Sequence, residues 1–321
     1  MTSAKYVETI TGALDRLQGT GFYLSGSFAN HAPMVAEALA TLGYCDEVDS
    51  WIDANLDRRQ HGPLPRSRHK ISVRAWRGAL GHHARGGDWV ELFRDELAAT
   101  AWRTVLAKWW PRLLPGIGGS LTHGLIRTAH AVRGLAAADE PSDLQIDELA
   151  RGLAFWATVY RPLSGAIETV PDTDPTLVGQ SLSQLTAAYA GHYTATKPSF
   201  PIPLIHTITA PAALRLVLAE LPADLHAISL SAVIGVNRQL FAAFGGRAAT
   251  TSPPNAVEPG IGDDFASLAA LAVDIGDEHA IKLCEAAMRE HAVHPDPRYL
   301  TAARTAMDLI STSSISRRSA P

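Results

Sequence analysis

An all-α fold is what this sequence predicts, and three observations predict it. Apolar residues recur at steps of three and four, strict alternation is rare, and alanine and leucine dominate the apolar set. The stripe Leu149, Leu153, Trp156 and Tyr160 is the clearest case. That spacing gathers four large side chains on one helix face.

Each element can be justified in turn. The periodicity predicts helices at about 4–18, 33–43, 46–57, 88–108, 118–137, 143–160, 178–190, 211–220, 224–244, 263–275, 277–291 and 297–311. Pro33 in the first turn and Gly43 after the last periodic residue mark the two ends of the second. Asp277 is placed to cap the helix that follows it. A basic loop, DRRQHGPLPRSRHK (57–70), and proline-punctuated connections at 111–119, 198–203, 252–260 and 294–297 separate the helices. GIGGS (116–120) follows no strand and carries no P-loop lysine, so it reads as a hinge into a helix. WRTVLAKWWPRLLPG (102–116) reads as a helix that packs its tryptophans into the core. A single multi-helical domain is expected over 1–311, with a small, polar, disordered tail at 312–321.

Composition narrows the function classes. With 46% hydrophobic and 19% charged residues, the 321-residue chain has ample apolar surface to bury. A net charge of −4 gives no basic field for nucleic acid or anionic lipid, so neither partner is expected. Two cysteines, Cys45 and Cys284, do not make a disulfide framework, and the N-terminal segment lacks the apolar run of a signal peptide. No membrane span is expected, and a cytoplasmic location fits.

Thirteen histidines are more than an alanine-rich helical protein needs. His31 precedes the helix opened by Pro33, whose positive end disfavours imidazolium and leaves a neutral ring able to donate to a metal. Its alternative is simply to satisfy free amides at the helix start together with Asn30. His123, Arg127 and His130 share one helix face, but two turns, about 10 Å, separate the outer pair. His123 is therefore the candidate ligand, with Arg127 and His130 as neighbouring or substrate-binding groups; a hydrogen-bonded polar seam is the alternative. His206 lies among Leu204, Ile205 and Ile208, where a satisfied core histidine is the ordinary reading. His279 and Lys282 are one turn apart; the lysine could be a neutral amine, a carbamylated ligand or an ordinary salt-bridged group. No short metal motif, no nucleophile elbow in LSGSF (24–28) and no dinucleotide fingerprint is present. Imidazole-rich sites suit iron, copper or zinc.

The segments NHAPMVAEAL (30–39), HGLIRTAHAVR (123–133), HTITAPAALR (206–215) and EHAIKLCEA (278–286) together resemble the questin oxidase-like family. GGDWVELFRDEL (86–97), WWPRLLPG (109–116) and ELARGLAFWA (148–157) are similar to it in the same order, so the resemblance runs from about residue 20 to about residue 305. It implies a helical oxidoreductase; fungal members oxidatively open anthraquinone-type rings in polyketide secondary metabolism, by Baeyer–Villiger-like or iron-dependent oxygenation. Carried over by matching position, it implies His31, His123, His206, His279 and Lys282 as the site. The expectation is thus a non-haem iron oxygenase, or an NADPH-assisted Baeyer–Villiger variant, acting on an aromatic small molecule with dioxygen. Arg127 would stabilise an enolate or phenolate and His130 would relay a proton. A non-catalytic helical scaffold and a zinc hydrolase are the rival readings.

Overall fold

Thirteen α-helices, six short 3-10 turns and one two-stranded antiparallel sheet make up the regular structure of the computed structural model, which describes residues 3–25, 28–164, 175–246 and 264–318. The helices are α1 (Ser3–Arg16), α2 (Ala32–Leu42), α3 (Val48–Arg58), α4 (Gly86–Ala99), α5 (Trp102–Leu113), α6 (His123–Ala136), α7 (Asp143–Thr158), α8 (Pro175–Thr196), α9 (Ile202–Leu218), α10 (His226–Phe244), α11 (Phe265–Ile275), α12 (Glu278–Val293) and α13 (Pro297–Arg318). The all-α expectation holds, in one domain.

Two large apolar clusters, with a small third around Tyr6, Ile10 and Leu14, share the interior. One gathers most of the tryptophans, with Trp89, Trp109, Trp110 and Trp156 packed among α4 to α7, the later half of α9 and the Leu230–Leu240 stretch of α10. The other is aliphatic and joins α2 and α3 to α8 and α11 to α13. Helix α9 belongs to both: Leu204, Ile205 and Ile208 face the aliphatic cluster, while Ala210, Ala213, Leu214 and Val217 face the tryptophans. Polar groups placed on its first two turns are therefore sealed between two dry cores.

Several boundaries differ from expectation for identifiable reasons. The helix expected at 88–108 is two, because Thr100 and Ala101 adopt extended backbone and turn the chain between α4 and α5. Helix α9 starts well before the expected 211 and runs through Pro211. A proline there removes the N–H that would bond to the carbonyl of residue 207. Asn237 of α10, wholly buried, donates its Nδ2 to that Thr207 oxygen at 2.7 Å and repairs the gap. Helix α13 continues to Arg318, past the expected end at 311, so most of the expected tail is helical. Within the basic loop, β2 (His61–Pro63) pairs antiparallel with β1 (Thr20–Leu24) across the intervening α2 and α3, a ladder too short to announce itself by alternation. The expected connection at 252–260 lies outside the described residues. Ala223–Phe244 is the one stretch among the described residues long and apolar enough to cross a membrane; half of it is buried in the core.

Candidate metal centre

Four elements bring four histidines together, three of them, His31, His123 and His279, with mutually close ring nitrogens and the fourth, His206, against His123. His31 is the N-cap residue of α2, His123 opens α6, His206 lies in the second turn of α9, and His279 is in the first turn of α12. All four are buried, as is Lys282 one turn beyond His279.

The approach to His123 is unusual. Ser120, Leu121 and Thr122 have φ of 47°, 52° and 67°, three successive side-chain-bearing residues in the left-handed region. Such residues cost about 1–2 kcal/mol each, so the surroundings must enforce the turn. They do so through close backbone contact. A Cβ on Gly119 would lie 1.8 Å from the Val159 carbonyl oxygen, and one on Gly116 would strike the Tyr160 ring. The sequence hinge is thus a locked turn.

His123 Nε2 is 2.5 Å from His31 Nε2 and 3.3 Å from His206 Nε2. One nitrogen each from His31, His123 and His279 lie within 4.8 Å of one another. The His206 and His279 ring centroids are 5.6 Å apart. His279 Nε2 is buried with no hydrogen-bond partner.

The far side of each ring decides what faces inward. His123 Nδ1 donates to the Ser120 carbonyl and His206 Nδ1 to the Ile202 carbonyl at 3.0 Å. A carbonyl can only accept, so both rings carry their proton on Nδ1 and turn a bare Nε2 lone pair inward. His31 Nδ1 lies 2.9 Å from Glu278 Oε1, in contact but too oblique for a good hydrogen bond. His279 Nδ1 is 3.7 Å from Asp277 Oδ1. Both carboxylates favour the same tautomer.

Electrostatics keep the rings neutral. Burial pushes His31, His123 and His206 well below the ordinary 6.5; the Lys282 charge adds to this for His31 and His123, and the neighbouring imidazoles for His206. Burial also pulls the Lys282 ammonium down to about 8, against the pull of Glu278 and Asp277. The bare Nε2 lone pairs of His123 and His206, 3.3 Å apart, repel unless a proton or a cation lies against them. The arrangement offers the nitrogen donors that a transition-metal ion could bind.

Arg127 and His130 stand apart from the histidine cluster. Although they share a helix with His123, their bonds lead elsewhere. Arg127 donates through Nε and Nη2 to Glu148 at 2.7 and 2.9 Å, and His130 Nδ1 pairs with Glu37 Oε2 at 2.5 Å. Among the described residues, neither has a hydrogen bond or ring contact with the four histidines. The cavity bordered by His130 and Glu148 is about 20 Å³, room for a water and not for an aromatic ring. These two residues belong to a buried polar seam, the alternative that the sequence had offered for them.

Sequence reasoning missed Glu278 and the buried carboxylate Glu37. The first was legible as the residue beside His279 in a D-E-H run; the second, alone in an alanine-rich helix, gave no signal. Comparison with protein family models finds no match, and comparison with curated proteins finds none either.

Proposed function

We propose that this chain is a metal-dependent oxidoreductase, a non-haem iron oxygenase or Baeyer–Villiger-type oxidase of an aromatic, polyketide-like small molecule. The observation that carries the reading is the convergence of buried imidazoles, two of which, His123 and His206, have their outward Nδ1 committed to a backbone carbonyl. Donor chemistry supports iron, copper or zinc over magnesium or calcium, which prefer oxygen. The family resemblance supports iron and dioxygen among these.

His31, His123, His206 and His279 would hold the ion. Lys282, buried beside them, joins the set only once its amine is neutral or carbamylated, since an ammonium has no lone pair. Iron would supply the redox chemistry with dioxygen. The chain contributes fixed ring orientation, through the Ser120 and Ile202 carbonyls, and exclusion of water by the two cores that meet along α9. NADPH, if used, binds without a dinucleotide fingerprint.

Metal analysis of protein purified without a histidine tag tests the reading. Stoichiometric iron, and oxygen consumption with hydroxylated anthraquinones as probes, supports it. A folded protein that takes up no transition metal supports the scaffold. The same nitrogen set also suits zinc, so stoichiometric zinc with no oxygen chemistry after iron loading favours the hydrolase.

A further inference from the structure

Glu278 stands between the metal centre and the surface. It is the first residue of α12, where the helix dipole favours a carboxylate. Its side chain is 10% exposed; Oε1 contacts His31 Nδ1 at 2.9 Å, and Oε2 faces Arg59 Nη2 at 3.6 Å. The Arg59 side chain is 49% exposed, so that ion pair alone adds little stability. The shorter contact, to the buried imidazole, is the one with consequences.

His31 differs from His123 and His206 in having no backbone carbonyl behind it. Without an acceptor at Nδ1 its ring could present either nitrogen inward, and either tautomer would be free to form. A carboxylate there favours the Nδ1–H form and places a negative charge one ring away from the cation. Arg59, at the end of α3 beside β2, restrains the carboxylate from outside.

We propose that Glu278 is a positioning residue of the metal centre: it selects the tautomer and orientation of His31, with Arg59 as its outer restraint. The inference rests on the metal reading above. Carboxylates behind ligand histidines contribute about 10–100-fold in metal affinity.

The test is titration of metal-free full-length protein with Co(II), in competition with a chromophoric chelator, with the visible ligand-field spectrum as second readout. Glu278→Ala should bind 10–100-fold more weakly and with an altered spectrum. Glu278→Gln, whose amide oxygen can take the place of Oε1 against His31 Nδ1, should recover the wild-type spectrum and part of the affinity. A merely structural role would not give that rescue. If Glu278→Ala does not fold, Glu278→Asp, too short to reach the ring, replaces it and should bind more weakly than the Gln variant. Wild-type affinity and spectrum in the folded Ala or Asp variant overturns the inference alone. A wild-type protein that binds no Co(II) overturns the metal reading with it.

Discussion

At the scale of single residues, the account depends on which ring nitrogen carries the proton. His206 sits where a satisfied core histidine would, and its Nδ1 is satisfied, by Ile202; its Nε2 still points to His123. His206→Ala should therefore lower metal affinity by more than the 10–100-fold typical of an outer partner, while His192→Ala, in contact with Phe241, should not. Equal metal content in the two variants would contradict the assignment. The same rings set a pH dependence. His31, His123 and His206 are neutral in the fold well below the pH at which they protonate in the unfolded chain. The unfolded state thus binds more protons as pH falls through about 6.5, and the fold loses stability from there downward. Thermal melts of metal-free protein should show a constant midpoint contribution from these rings above about pH 6.5 and a falling midpoint below it; a midpoint unchanged from pH 7.5 to 5 would refute their neutrality.

Helices and turns set where those rings stand. Pro211 would break α9 one turn after His206, and Asn237 prevents it by capping the orphaned Thr207 carbonyl. Asn237→Ala leaves a buried acceptor unsatisfied and should cost about 1–3 kcal/mol, read by urea denaturation. A variant as stable as wild type would show that water replaces the amide. The turn before α6 is stricter. Gly119→Ala cannot fit against the Val159 carbonyl without moving the left-handed Ser120–Thr122 stretch, and with it His123. It should lower both stability and metal content; retention of full metal content would mean that the turn does not position the ligand. These two elements also mark what the sequence could disclose. Apolar periodicity revealed most helices, and the histidines adjoining helix starts were readable as candidates. Prolines at 203 and 211 hid the first half of α9, because the compensating Asn237 comes from another helix. That Arg127 and His130 diverge from His123 was equally hidden: helix face alone does not say which neighbour offers the carboxylate.

Across the whole molecule, a ladder of buried charges ties the helices that carry the site. Glu37 of α2 accepts from Tyr6, Thr41, His130 and Arg133; Arg133 continues to Glu285, Glu285 to Arg289, and Arg289 to Glu290, which Arg215 of α9 also meets. Thus α2, α6, α9 and α12, the four elements that carry the clustered histidines, are cross-linked a few turns from them. The Arg133 guanidinium and the His130 contact hold Glu37 far below the usual carboxylate range despite its burial. Glu37→Ala would strand Arg133 beside one carboxylate and should cost about 3–5 kcal/mol in chemical denaturation; a loss under 1 kcal/mol would show the ladder to be incidental. None of this was legible beforehand, since ion pairs between distant segments leave no periodic trace.

The most direct measurement is an anomalous difference map from crystals of untagged protein loaded with Fe(II), recorded on both sides of the iron edge. The account predicts one strong peak within coordinating distance of His31, His123, His206 and His279, absent in His206→Ala. A well-folded protein with no peak among those four rings would contradict it.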